Sequence, residues 1–135
     1  MYSLDSTTID LCLSLFPWAE FRSTKGAVKL HVGLNHAGFL PEFNCVTDCK
    51  THDLTVGREI SFPKSSIVVV DRAYTDYEWF NTMNSNGIYF VSRQKANERY
   101  RFVERHTVNK SQGVTSYQII KYTGQYSNKS YPGQM

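Results

Sequence analysis

A chain of 135 residues, 41% hydrophobic and 20% charged, has the size and balance of one globular domain or most of one. No apolar run approaches the roughly 18 residues a membrane span needs. The start, MYSLDSTTID, lacks the basic and apolar stretches of a secretion signal, so a cytoplasmic protein with no membrane partner is expected. The net charge of +3 is uneven: residues 1–70 carry six Lys/Arg against seven Asp/Glu, residues 71–135 nine against five.

The first strand-like segment is Tyr2 to Leu11, rich in Thr, Ile and Leu. Ala27 to Leu34 sets Val28, Leu30, Val32 and Leu34 against Lys29, His31 and Gly33, the period-2 pattern of a half-buried strand. A turn at residues 35–38 follows, with Gly38 free to take positive φ. Phe39 to Val46 is the return arm of a hairpin, and Pro41 marks it as an edge or a late start. Cys45 and Cys49 share a face of that arm. With Cys12 they make three cysteines, an odd number without zinc-finger spacing, and they read as small buried hydrophobes.

Thr51-His52-Asp53-Leu54 opens a short helix, with Thr51 or Asp53 near its N-cap, that must end before Pro63. Ile67 to Val70 is an unbroken β-branched run, expected to be a strand covered on both faces. Thr75 to Asn84 carries Tyr77, Phe80 and Met83 at helical spacing and is closed by Asn86-Gly87. Ile88 to Ser92 reads as a further buried strand. A hairpin-rich start followed by helix–strand–helix–strand implies an α/β mixed sheet with flanking helices. Tyr100 to Val108 and Val114 to Tyr122 read as a second hairpin, and residues 123–135 show no periodicity.

Two acids stand out. Asp5 interrupts the first strand, and Asp71 ends the most hydrophobic segment of the chain. Strand ends are where ligands bind in open α/β sheets. Two carboxylates brought together there repel unless a cation lies between them, and hard oxygen ligands favour Mg²⁺ or Mn²⁺. The plainer reading has Asp71 capping the next helix and Asp5 paired with a lysine. Arg93, Lys95, Arg99, Arg101 and Arg105, interleaved with Tyr100 and Phe102, suit a phosphate backbone and exposed bases, or form a solvated strand face. No Ser/His/Asp arrangement is evident, and the four histidines read as ordinary polar residues.

The phrases LDSTTIDLCLSLFPWAEFRSTKGAVKLH, LPEFNCVTDCKTHD, VVVDRAYTDYEWF and YFVSRQKAN, in that order, resemble the catalytic region of bacterial insertion-sequence transposases of the DDE class, the "insertion-sequence four" family. The resemblance implies a ribonuclease H-like fold over residues 1–97 and the start of a β-rich insertion over 98–135. It assigns Asp5 and Asp71 as the first two catalytic, metal-binding acids, and places Arg72 and Tyr74 beside the second, supporting it or approaching DNA. Thr51–Asp53 is assigned to packing or capping. Lys25 and Lys29 are either phosphate contacts or solvated charges.

What the resemblance further implies is Mg²⁺- or Mn²⁺-dependent cleavage at element ends and strand transfer into target DNA. It also implies a nucleoid-associated location when bound and room for a homodimer. One departure stands against this. The family's third acid lies in a Tyr-x-x-Arg-x-x-x-Glu-x-x-x-x-x-x-Lys motif that this sequence lacks. The chain is therefore expected to be a truncated catalytic core, inactive alone, without the family's N-terminal DNA-binding region. A non-catalytic nucleic-acid-binding remnant, using Arg93, Lys95, Arg99 and Arg101, and another ribonuclease H-like nuclease are the alternatives.

Overall fold

In the computed structural model, which describes residues 1–22 and 25–132, the chain forms two compact units, Met1–Arg93 and Gln94–Met135. The first is built on a six-stranded sheet. β1 (Tyr2–Leu11) pairs along its length with antiparallel β3 (Lys25–Asn35), from Tyr2 opposite Asn35 to Leu11 opposite Gly26. The other edge of β3 takes two strands. β2 (Glu20–Arg22), which the sequence pattern did not reveal, pairs at its start, and β4 (Leu40–Asp48) along the rest.

Pro41 of β4 sits where the register with β3 shifts, at an edge that needs no N–H from it. The turn before β4 differs from expectation in one detail: Phe39, not Gly38, takes the positive φ of 53°. β5 (Ile67–Val70) lies parallel to β1, and β6 (Tyr89–Ser92) parallel to β5.

α1 (Asp53–Glu59) and α2 (Tyr77–Ser85) cover one face of this sheet. Phe80 of α2 stacks on Phe90 of β6 with ring centroids 4.1 Å apart. Gly57 of α1 lies so close to Tyr74, Trp79 and Leu4 that an added Cβ would come within 3.2, 3.3 and 3.5 Å of them. Leu4, Val68, Val70, Tyr74, Trp79, Phe80 and Met83 form the core beneath the helices. Arg58 of α1 ties to Asp76 of α2 at 2.8 Å, and Asp76 also accepts from the Trp79 N–H as the N-cap of α2.

Thr51 and Asp53 lie on either side of the N-cap of α1, as expected, and the N-cap itself is His52. His52 precedes the helix without a side-chain cap. Thr51 instead gives its N–H and hydroxyl to Asp48, each at 2.7 Å, and Asp53 is the first helical residue, where an acid suits the helix dipole.

The opposite face of the sheet carries no helix among the described residues. Ile67 is 42%, Val91 53% and Tyr89 62% exposed. β5 and β6 are thus covered on one face, not two as their apolar runs led us to expect. A continuous run records what a strand can bury; the cover itself comes from elsewhere. The cysteines also differ from expectation: Cys12 is exposed, Cys45 and Cys49 are partly exposed, and all three are free thiols.

In the second unit β7 (Tyr100–His106) and β8 (Tyr117–Tyr122) form an antiparallel hairpin. The segment after it was expected to be irregular, yet Gln125–Ser130 forms a short helix, α3, followed by the buried Tyr131. Residues 133–135 of that segment lie outside the described residues. No helix among the described residues is long and apolar enough to cross a membrane.

The Phe80–Phe90 contact carries the packing of α2 on the sheet. Phe80→Ala should destabilise the chain by about 3–5 kcal/mol, read as a lower urea midpoint with an unchanged slope.

Candidate active site

The parallel pairing of β1 with β5 runs Tyr2 opposite Val68, Ser3 opposite Val69 and Leu4 opposite Val70. Asp5 and Asp71 each directly follow the last pair of this ladder, Leu4 and Val70. Residues opposite one another on neighbouring strands point to the same face, and such strands lie about 4.8 Å apart. Leu4 and Val70 face the helices, so Asp5 and Asp71 face the open side, where both are exposed.

Each carboxylate is oriented by the next backbone N–H: Ser6 donates to Asp5 Oδ1 at 2.8 Å and Arg72 to Asp71 Oδ1 at 2.6 Å. Asp71 caps the short 3₁₀ turn Arg72–Tyr74. The capping reading and the rim-carboxylate reading thus describe one side chain. Among the described residues neither acid has an ion-pair partner. The plainer reading had a nearby lysine pairing with Asp5, and none does so among the described residues.

Lys29 of β3 faces away from Asp5. Opposite pairing puts Lys29 and His31 on the covered face with Thr8 and Ser6, and Leu30 and Val32 on the open face with Thr7 and Asp5. The β3 alternation has the right period, but its charged side faces the helices. What makes this tolerable is Asp53. Its Oδ1 lies 3.1 Å from Lys29 Nζ, accepts from Ser6 Oγ at 2.8 Å and stands 3.7 Å from His31 Nδ1. Lys29 Nζ also donates to the Thr51 carbonyl at 2.9 Å.

Burial works to raise the Asp53 carboxyl. The hydrogen bonds from Ser6 and Lys29, with the charges of Lys29 and His31, outweigh it and hold the group below the ordinary carboxylate range. His31 is fully buried, and burial lowers its pKa against the pull of Asp53. Its Nε2 meets Thr47 Oγ1 at 3.0 Å. Sequence reasoning assigned Asp53 to packing or capping and took His31 for an ordinary polar residue. The Thr-His-Asp phrase was visible, but its partners on β1 and β3 were not.

Tyr74 is 1% exposed, below the two rim acids. Burial pushes its phenol up to about 12; the Ser6 hydroxyl acts against this, and the charges of Asp53, Asp5 and Asp71 add to it. All three acids therefore lie near one hydroxyl. Arg72 is exposed beside Asp71. Arg93, Lys95, Arg99 and Arg101 lie away from this strand rim in sequence, and Arg101 stands opposite Lys121 in the second unit's hairpin.

Two exposed, unneutralised carboxylates fit a divalent cation, since Mg²⁺ binds through one or two carboxylates and fills its remaining positions with water and phosphate oxygens. No group of three or more His, Cys, Asp or Glu side chains suited to a metal occurs among the described residues.

The first unit is a mixed α/β sheet with flanking helices. Residues 2–130 match the transposase DDE domain, and the chain belongs to that family. Over 126 residues it is 28% identical to the probable transposase for insertion sequence element IS5377 of Geobacillus stearothermophilus. That alignment takes in 93% of this chain and 33% of the relative, so the chain spans about a third of that protein's length. No solved structure matches the chain.

The depressed Asp53 pKa carries a pH dependence with a definite sign. Its stabilisation is complete above the unfolded carboxylate value of about 3.9 and is lost as pH falls through the folded value. The stability gap between the intact chain and Asp53→Asn should therefore be widest near neutrality and should close on acidification below about pH 4, measured by urea unfolding across pH.

Proposed function

We propose that this chain is the acid-bearing part of a DNA transposase core, in which Asp5 and Asp71 together hold Mg²⁺ or Mn²⁺ for phosphoryl transfer on DNA. The observation that supports the reading is the β1–β5 ladder, whose last pair is Leu4–Val70, so that Asp5 and Asp71 are the next residues of the two segments. The strand order β4–β3–β1–β5–β6, with β3 antiparallel and β5 parallel to β1, supports a ribonuclease H-like assignment for the first unit. The hairpin unit is then the start of a β-rich insertion, and a bacterial cytoplasmic location follows from a DNA substrate.

A divalent cation bound there would stabilise charge on the attacking and leaving oxygens of a phosphodiester. The chain's own residues supply the rest. Asp5 and Asp71 give oxygen ligands from neighbouring strands, their preceding residues anchored in the sheet. Ser6 and Arg72 backbone N–H groups fix the carboxylate rotamers. The Arg72 side chain, exposed next to Asp71, is placed to meet phosphate. Tyr74 packs beneath and excludes water from the covered side.

In the hairpin unit, Arg101 opposite Lys121, and Arg105 5.5 Å from the centre of the Phe102 ring, support a second surface for nucleic acid. Binding through such charges falls steeply with salt and is indifferent to divalent metal. That separates a basic-patch remnant from a metal-dependent core.

In a titration of the chain with Mn²⁺ followed by electron paramagnetic resonance, Asp71→Asn should abolish the bound fraction while leaving the melting temperature nearly unchanged. Equal binding by the variant would remove the proposal. A two-acid site positions metal poorly for chemistry that depends on placement within fractions of an ångström. These 135 residues mixed with terminal-repeat DNA and Mn²⁺ should accordingly give no joined strands, and joined product on a gel would contradict the two-acid account.

A further inference from the structure

The acids at the open rim are tied to a second polar cluster on the covered face of the sheet, and nothing in the proposed chemistry uses it. Asp53 stands at the start of α1, yet its carboxylate points to the strands. It accepts from Ser6 of β1 at 2.8 Å and lies 3.1 Å from Lys29 of β3. Lys29 in turn holds the Thr51 carbonyl at 2.9 Å, just before the helix. The Asp53 side chain is 17% exposed and that of Lys29 16%, so these contacts are shielded from competing water. A solvated surface pair would not stay in one geometry; this one is fixed from three elements at once.

Ser6 is the connection to the rim. Its hydroxyl is held by Asp53 below the sheet, and its backbone N–H donates to Asp5 Oδ1 above it. The strand pleat turns a contact on one face into an orientation on the other. An independent observation points to the same place. The buried Tyr74 hydroxyl feels the Ser6 hydroxyl as well as the charges of Asp53, Asp5 and Asp71.

Resting on the reading of Asp5 and Asp71 as ligands, we propose that Asp53, clamped by Lys29, is a positioning residue that fixes Asp5 through Ser6 for divalent-metal binding. Asp53 itself does not touch the cation, since its oxygens face the other side of the sheet. Its charge is neutralised by Lys29, so it holds the strand without adding to the repulsion between the rim acids. Partners that orient a metal-binding side chain typically change affinity by 10- to 100-fold when removed.

The test is a Mn²⁺ titration of the 135-residue chain and four variants, paired with thermal melting of each. Ser6→Ala removes the link with no change in charge. It should weaken Mn²⁺ binding about tenfold and leave melting nearly unchanged, which a merely structural role would not produce. Asp53→Asn should weaken binding at least as much. Asp10→Asn, an exposed acid on the same strand, should bind as the parent does. Parental binding by Ser6→Ala, with binding still lost in Asp5→Asn, would overturn the positioning role and leave the metal site standing. An equal loss in Asp10→Asn would reduce the effect to general charge and overturn it as well. If Asp5→Asn binds Mn²⁺ like the parent, the metal reading fails and takes this inference with it.

Discussion

Parallel pairing between β1 and β5 sets the strand neighbours on which the proposed site depends. Strand side chains alternate with a period of two, so a slip of one residue would turn Asp5 to the helices and bring Leu4 to the rim. The slip is opposed by the core itself. Leu4, Val68 and Val70 are buried beneath the helices, and turning β1 over would expose Leu4 and bury a carboxylate with no partner. The hydrophobic effect thus sets the register, and the register sets the acid pair. Asp71 gains a second constraint as the cap of the turn that begins after β5.

The two faces of the sheet solve different electrostatic problems. On the open face the rim acids stay exposed, which keeps desolvation small and leaves their charge available to a cation. On the covered face a lysine and a histidine are enclosed, and Asp53 lies 3.1 Å from the lysine Nζ and 3.7 Å from the histidine Nδ1. Partly buried pairs of this kind are modest contributors to stability because desolvation cancels much of the attraction. Their value here is geometric: α1, β1 and β3 are joined at one carboxylate, directly behind the strand that carries Asp5.

Much of this arrangement was legible from the residues. The order of the long strands and the two helices follows from periodicity and turn residues, and both rim acids were marked by acids set into apolar strands. What escaped has a physical cause in each case. The alternation in Ala27–Leu34 gives a period but not a sign, and the sign was decided by Asp53, a residue distant in sequence from Lys29 and His31. The run Ile67–Val70 states what the strand could bury, while the sheet's cover is a property of other segments. Glu20–Arg22 is too short to show a period, and the turn residue at positive φ proved to be Phe39, for which glycine would be the ordinary choice. Family membership joined these pieces through whole phrases, which no single spacing could have done.

The central claim is that residues 5 and 71 share one cation across neighbouring strands. Crystals of the chain grown with Mn²⁺ and measured at the manganese absorption edge test it most directly. The account predicts an anomalous peak between the two carboxylates, with oxygens from both at about 2.0–2.2 Å. A peak bound to only one of them, or electron density placing the two side chains on opposite faces of the sheet, would contradict it.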